Sequence, residues 1–289
     1  MCLLVVVSRL DPAAPLVVGA NRDERLDRPA VAMTVLRESS PRVLGGRDEE
    51  AGGTWLAVNE HGVVAGLTNR PSPDGVDRSK RTRGELPFML AGHRDAAAAV
   101  RAFVEQVRPS EYNPAWLLVG DRTSLYALDV SGEAGLRVEK LGPGVHILEN
   151  NPLGSPSAKV DHVRAALGDI GAGSDDHNAL LDRLSGVLAD HTIPGGVGPR
   201  AAPVADGGGG ADAAVTARGA PATVTERPPE SLAACVHTEW YGTRSSTLVR
   251  VPADPGTRPT VRVADGHPCT AGFVDVTDHW EPGASGASS

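Results

Sequence analysis

Aromatic side chains are scarce in this chain, where Phe, Trp and Tyr together make up 3% of 289 residues. So few rings exclude the stacking platforms that hold single-stranded nucleic acid. A concentrated Lys/Arg stripe is missing too, and the formal net charge is -8. The basic footprint of a nucleic-acid partner is therefore absent, and none is expected. Cysteine is limited to Cys2, Cys235 and Cys269. Three thiols at such wide spacing form neither a disulfide framework nor a zinc pattern, and Cys235 and Cys269 read as ordinary thiols. The nine histidines are scattered, with no HExxH and no Cys/His run, so neither a metal site nor a cofactor is expected. No glycine-rich phosphate-binding loop stands between a strand and a helix. No apolar stretch approaches the roughly 18 residues of a membrane span. The apolar run at 3–7 has no basic residue ahead of it and ends at Ser8-Arg9, unlike a secretory signal. A lipoprotein cysteine would follow such a run, whereas Cys2 precedes it. The cytoplasm is the expected location.

What is present is a globular composition, with 40% hydrophobic and 22% charged residues. Short β-branched runs at 3–7 and 16–19, joined by Asp11-Pro12-Ala13-Ala14-Pro15, predict a buried hairpin. Further strands are predicted at 31–36, 54–58 and 63–67, the last two around the turn-like Asn59-Glu60-His61-Gly62. Residues 83–92 and 94–107 read as helices; Ala99, Val100, Phe103, Val104 and Val107 share one face. A second meander is predicted at 116–119, 124–128, 136–141 and 145–148, then helices at 158–167 and 178–188. Residues 194–230, rich in Gly and Pro, read as a flexible insertion. Closing strands are expected at 243–251, 260–263 and 272–276. Strand blocks alternating with helix pairs predict a layered α+β fold. It forms one domain over 1–280, with a disordered tail at 281–289.

Cys2 carries the chemistry. Methionine aminopeptidase removes Met1 when the second residue is small, leaving a thiol and a free α-amino group on one residue. That amine, with an unperturbed pKa of about 7.7–8.0, is a general base beside a nucleophile. In a hairpin, the end of the second strand lies beside the start of the first. Asn21-Arg22-Asp23-Glu24, which ends that strand and reads equally as a solvated turn or as part of a site, would in the second case bring Asp23 to the amine and Arg22 to the thiol.

Met1-Cys2 with Asn21-Arg22-Asp23-Glu24 resembles the NRDE family, which includes the transport and Golgi organisation protein 2 homologues. Gly45-Gly46-Arg47-Asp48, Gly52-Gly53-Thr54-Trp55-Leu56, Ala65-Gly66-Leu67-Thr68-Asn69-Arg70 and Arg83-Gly84-Glu85-Leu86 extend the resemblance. Leu148-Glu149-Asn150 and Tyr241-Gly242-Thr243-Arg244-Ser245-Ser246-Thr247 complete it. That family is similar to the choloylglycine hydrolase and penicillin acylase group of N-terminal-nucleophile amidases. The resemblance implies a four-layer αββα N-terminal-nucleophile hydrolase-like sandwich with Cys2 as nucleophile and Asp23 as the acid after the second strand. It further implies oxyanion donors near Thr68 and Asn69 and at Asn150, and a late arginine for which Arg244 is the candidate. Where the amidases carry Arg three residues before the acid, this chain has Ala20; Arg22, on the same strand face, is the substitute. The implied reaction is acyl transfer on a small amide or thioester. The alternative, from eukaryotic members, is a carrier of haem or acyl lipid.

Overall fold

The computed structural model describes residues 2–72, 75–170, 178–195 and 229–282; Cys2 enters through its backbone. Two antiparallel sheets lie face to face. The first has the order β10-β1-β2-β11-β12-β13, and the second runs β3 to β9 in sequence order. The first sheet comprises β1 (Cys2–Ser8), β2 (Leu16–Arg25), β10 (Gly144–Leu148), β11 (Tyr241–Val251), β12 (Thr260–Asp265) and β13 (Val274–Asp275). The second comprises β3 (Ala30–Arg37), β4 (Val43–Asp48), β5 (Leu56–Asn59), β6 (Val64–Asn69), β7 (Ala115–Gly120), β8 (Leu125–Val130) and β9 (Leu136–Leu141).

Alternate residues of each strand face opposite ways, and both faces are covered. Leu4, Val6, Leu16, Val18 and Ala20 meet Leu56, Val64 and Leu118 between the sheets. On the outer face of the first sheet, Leu3, Val5, Val7 and Val17 pack under α3 (Ala158–Leu167) and α4 (Ala179–Leu188). On the outer face of the second, Val63, Ala65 and Leu67 pack under α1 (Glu85–Leu90) and α2 (Ala96–Gln106). The result is the αββα four-layer sandwich. Each helix reads as one apolar stripe; the Phe103–Val100–Ala99–Ala96 face of α2 is buried.

Three strand expectations are corrected. β2 runs ten residues instead of stopping at 19, because both its edges are hydrogen-bonded, to β1 and to β11, through Arg22. Asn21-Arg22-Asp23-Glu24 is therefore strand, and the solvated-turn alternative falls. β4 forms at Val43–Asp48, where no strand was predicted. The fourth strand expected in the second meander, β10, leaves that sheet and pairs with β1, Leu148 opposite Leu4. The expected insertion at 194–230 lies almost wholly outside the described residues, as does most of the 281–289 tail. Among the described residues no helix is long and apolar enough to cross a membrane.

Candidate functional site

β1 and β2 pair with Cys2 opposite Arg22 and Leu4 opposite Ala20. On the other side of β1, Leu4 faces Leu148, so Asn150, two residues further on, continues toward the level of Cys2. β11 extends the row, with Ser245 opposite Arg22. Cys2, Arg22 and Ser245 thus form one ladder row across the sheet, and Asn150 follows the end of β10 beside it. β6 crosses beneath: a Cβ on Gly66 would lie 2.7 Å from Leu4 Cδ2, so glycine lets the sheets close there. Two residues on, Thr68 Oγ1 donates to the Glu149 carbonyl at 2.6 Å, and Asn150 Nδ2 donates to the Asn69 carbonyl. These two bonds join the sheets beside the row.

Three side-chain atoms here are buried without a hydrogen-bond partner among the described residues: Arg22 Nη1, Asn150 Oδ1 and Ser245 Oγ. Buried polar atoms are ordinarily paired, so three so close together stand out. Arg22 is held from two sides. Its Nη2 donates to Asp48 Oδ2 at 3.1 Å, and its guanidinium lies 4.5 Å from the Trp55 ring centroid. Trp55 reaches that place because Gly46 has no side chain; a Cβ there would fall 2.0 Å from the indole. Asp48 also accepts from Arg28 Nε at 2.7 Å and from the Ala51 N–H at 2.9 Å. Burial pushes its pKa up, but the Arg28 bonds, the Ala51 N–H and the Arg22 charge together hold it below the usual carboxylate range.

Asp23 stands on the opposite face of β2 from Arg22, under the helix layer. It is fully buried, and Thr243 Oγ1 donates to its Oδ1 at 2.6 Å. Lys159 Nζ, completely buried at the start of α3, lies 3.8 Å from its Oδ2. Burial raises the Asp23 pKa, and the Lys159 charge and the Thr243 bond oppose that rise only in part. Thr243 is held in turn by the Val236 N–H, which donates to its hydroxyl at 2.9 Å. A bulge in β11 between Thr243 and Ser245 makes this possible. Without it, Thr243 and Ser245 would lie on the same face, and the hydroxyl would miss the acid. Arg244 is the extra residue, and its guanidinium anchors the Leu26 carbonyl.

The structure thus pairs Cys2 with Arg22, and Asn150 follows the end of β10 beside them, bonded to the Asn69 backbone carbonyl. Strand alternation gives Thr68 the inter-sheet face and Asn69 the helix-covered face. Arg244 lies apart from the row, bonded to backbone. The sequence reading missed Lys159, Thr243 and Asp48 as partners. Lys159 had a signal, since it occupies the buried 159–163–167 stripe of α3, where a lysine needs a carboxylate. Cys235 and Cys269, read as ordinary thiols, lie together. Their sulfurs lie 3.8 Å apart, each within 3.3 Å of His237 Nε2. They are 34 residues apart in the chain, so no spacing pattern could disclose them. Burial, with Cys269 alongside, pushes the Cys235 thiol up to about 12.

Comparison with known proteins agrees with the fold. A family model described as Transport and Golgi organisation 2 matches residues 1–258. The Bos taurus transport and Golgi organization protein 2 homolog is 31% identical over 274 residues, covering 88% of this chain and 90% of that protein. The Homo sapiens homolog is 28% identical over 279 residues, with the same coverage. Among solved structures, penicillin V acylase from Agrobacterium tumefaciens aligns over 96% of this chain and 86% of its own, with a TM-score of 0.52 and 10% sequence identity. That likeness is one of fold.

Proposed function

The chain belongs to the Transport and Golgi organisation 2 family, built on an N-terminal-nucleophile hydrolase fold, and from that premise we propose that it is an acyl-transfer enzyme acting through Cys2 on a small amide or thioester. The observation that carries the reading is the group of unpaired buried polar atoms on Arg22, Asn150 and Ser245, with Cys2 opposite Arg22 by register.

Removal of Met1 makes the main-chain nitrogen of Cys2 a primary amine. A main-chain nitrogen lies in the plane of the sheet, so Asp23 can hold it from the helix side while Arg22 works from the inter-sheet side. In the reaction the thiol proton passes to the amine and sulfur bonds to the carbonyl carbon. The oxyanion takes the second N–H of Asn150 Nδ2, the first being donated to the Asn69 carbonyl. The amine then returns its proton to the departing nitrogen or thiol as the old bond breaks. Water or a second amine resolves the thioester.

Intact-mass measurement after exposure to thioester, lactone and amide libraries tests this, beginning with the N-terminal residue of the mature chain. An acyl adduct on Cys2, lost in Cys2→Ala, is expected. Turnover that persists in Cys2→Ala, or a retained Met1, overturns it. Absence of any adduct, together with saturable one-to-one haem or acyl-lipid binding, would favour the carrier role instead.

A further inference from the structure

A second cluster of reactive side chains sits behind Asp23 and takes no part in the chemistry above. It is assembled from three places. Cys235 and His237 precede β11, His267 and Cys269 follow β12, and His191 follows α4. The backbone fixes these pieces together: the Cys235 N–H donates to the Asp190 carbonyl at 2.8 Å, and His237 bridges to Gly242. Gly242 gives the cluster room, since a Cβ there would lie 3.0 Å from His267 Cε1.

The distances are those of a coordination shell. Two sulfurs each about 2.3 Å from a tetrahedral zinc ion stand roughly 3.8 Å apart, and a sulfur and an imidazole nitrogen about 3.6 Å apart. Here the Sγ–Sγ separation is 3.8 Å, and His237 Nε2 lies 3.3 Å from Cys235 Sγ and 3.2 Å from Cys269 Sγ. Three donors therefore already occupy three corners of one tetrahedron, slightly contracted on the nitrogen side. His267 stacks on His237 with 4.0 Å between ring centroids, and His191 meets it edge-on at 5.8 Å. Buried His267 Nδ1 has no hydrogen-bond partner among the described residues. Cys235 is fully buried while His237 is exposed, so an ion would enter past the imidazole and seat against the inner thiol.

We propose that Cys235, His237 and Cys269 bind a thiophilic divalent metal ion of the zinc class, with a flanking histidine, His267 or His191, as fourth ligand. Two thiolates with imidazole nitrogens suit zinc. Binding converts both thiols to thiolates and releases their two protons to solvent. The ion would tie the end of β12 to the segment whose Val236 N–H holds Thr243, and so would stiffen the support of Asp23. The inference does not rest on the acyl-transfer reading.

The test uses the reduced, chelator-treated full chain titrated with zinc, and with cobalt as a spectroscopic substitute. One equivalent of zinc should remain after gel filtration, and cobalt should give thiolate charge-transfer and tetrahedral ligand-field bands. Zinc should also shield Cys235 and Cys269 from a maleimide reagent. Cys269→Ser and His237→Ala, at positions open to solvent, should each weaken binding roughly 100-fold or more, as should Cys235→Ser if it folds. A tenfold loss in His267→Ala or His191→Ala identifies the fourth ligand. Cys2→Ala should bind zinc as tightly as the parent, which separates this site from the nucleophile. Binding below a tenth of an equivalent, binding unchanged in Cys269→Ser and His237→Ala, or a Cys235–Cys269 disulfide that forms equally fast with zinc present overturns the proposal.

Discussion

Gly46, Trp55 and Arg22 form a chain of dependence one residue wide. Absence of a Cβ seats the indole, and the indole seats the guanidinium. Gly46→Ala should therefore cost about 2–3 kcal/mol through overpacking and expel Trp55 from the guanidinium face. Denaturant midpoints and tryptophan emission would read the two effects. Asp23 gives a second expectation. Its pKa is raised, chiefly by burial, so the folded chain holds that proton at pH values where an exposed carboxylate has lost it. Stability then declines as pH rises from the ordinary value of about 3.9 through the raised one, and is flat above. If ionised Asp23 must hold the amine, the acidic limb of acylation sits above that ordinary value as well. Asp23→Asn should abolish this limb in a pH–rate profile; a limb that persists unchanged would assign it to another group.

At the scale of elements, the α2 N-terminus is held from outside the helix. Asp121, between β7 and β8, accepts from the Ala96 N–H at 2.7 Å while its other oxygen takes the Thr123 and Ser124 N–H groups. Burial pushes its pKa up, but these donors bring it below the ordinary range. The stability it contributes is present above the unfolded value and is lost as pH falls through the depressed one. Asp121→Asn should cost about 2 kcal/mol at neutral pH and flatten the acid side of the stability curve, measured by urea unfolding from pH 6 downward. Elements are also where the sequence was most readable. Periodicity located the 136–141 strand and the 158–167 helix residue for residue, since each is bounded by turn residues and carries one plain pattern. It stopped β2 at 19 because charged side chains look solvated until β11, more than 200 residues away, supplies Thr243 and closes the ladder. It passed over β4 because Gly45-Gly46 suggests a turn unless Trp55 is known to lie on them. Cys2, Arg22, Asp23 and Asn150 were legible through family motifs, whereas Lys159 and the Cys235–His237–Cys269 group depend on contacts that cross the whole chain.

The whole molecule is a sandwich buttoned at both ends. At the site end, Thr68 and Asn150 stitch β6 to the segment after β10. At the far end Arg122 donates to the carbonyls of His61, Pro252, Asp254 and Thr257, spanning turns of both sheets. Arg9 adds bonds to the Thr123 and Leu141 carbonyls at 2.7 and 2.8 Å. Arg122→Ala should cost about 2–4 kcal/mol and leave acylation of Cys2 nearly unchanged, because the lost contacts lie at the opposite end of the strands. Thermal midpoint and acylation rate would be compared on one preparation. A fall in rate as large as that in stability would show that the two ends are mechanically coupled.

The bulge at Arg244 has an arithmetic consequence. A strand offers a side chain only two directions, and the bulge uses one residue so that Thr243 and Ser245, two apart in the chain, take different ones. Removing Arg244 would leave a regular ladder in which Thr243 still pairs with Asp23 and Ser245 with Arg22. That deletion should therefore keep the acid's hydrogen bond and lose only the anchor on the Leu26 carbonyl.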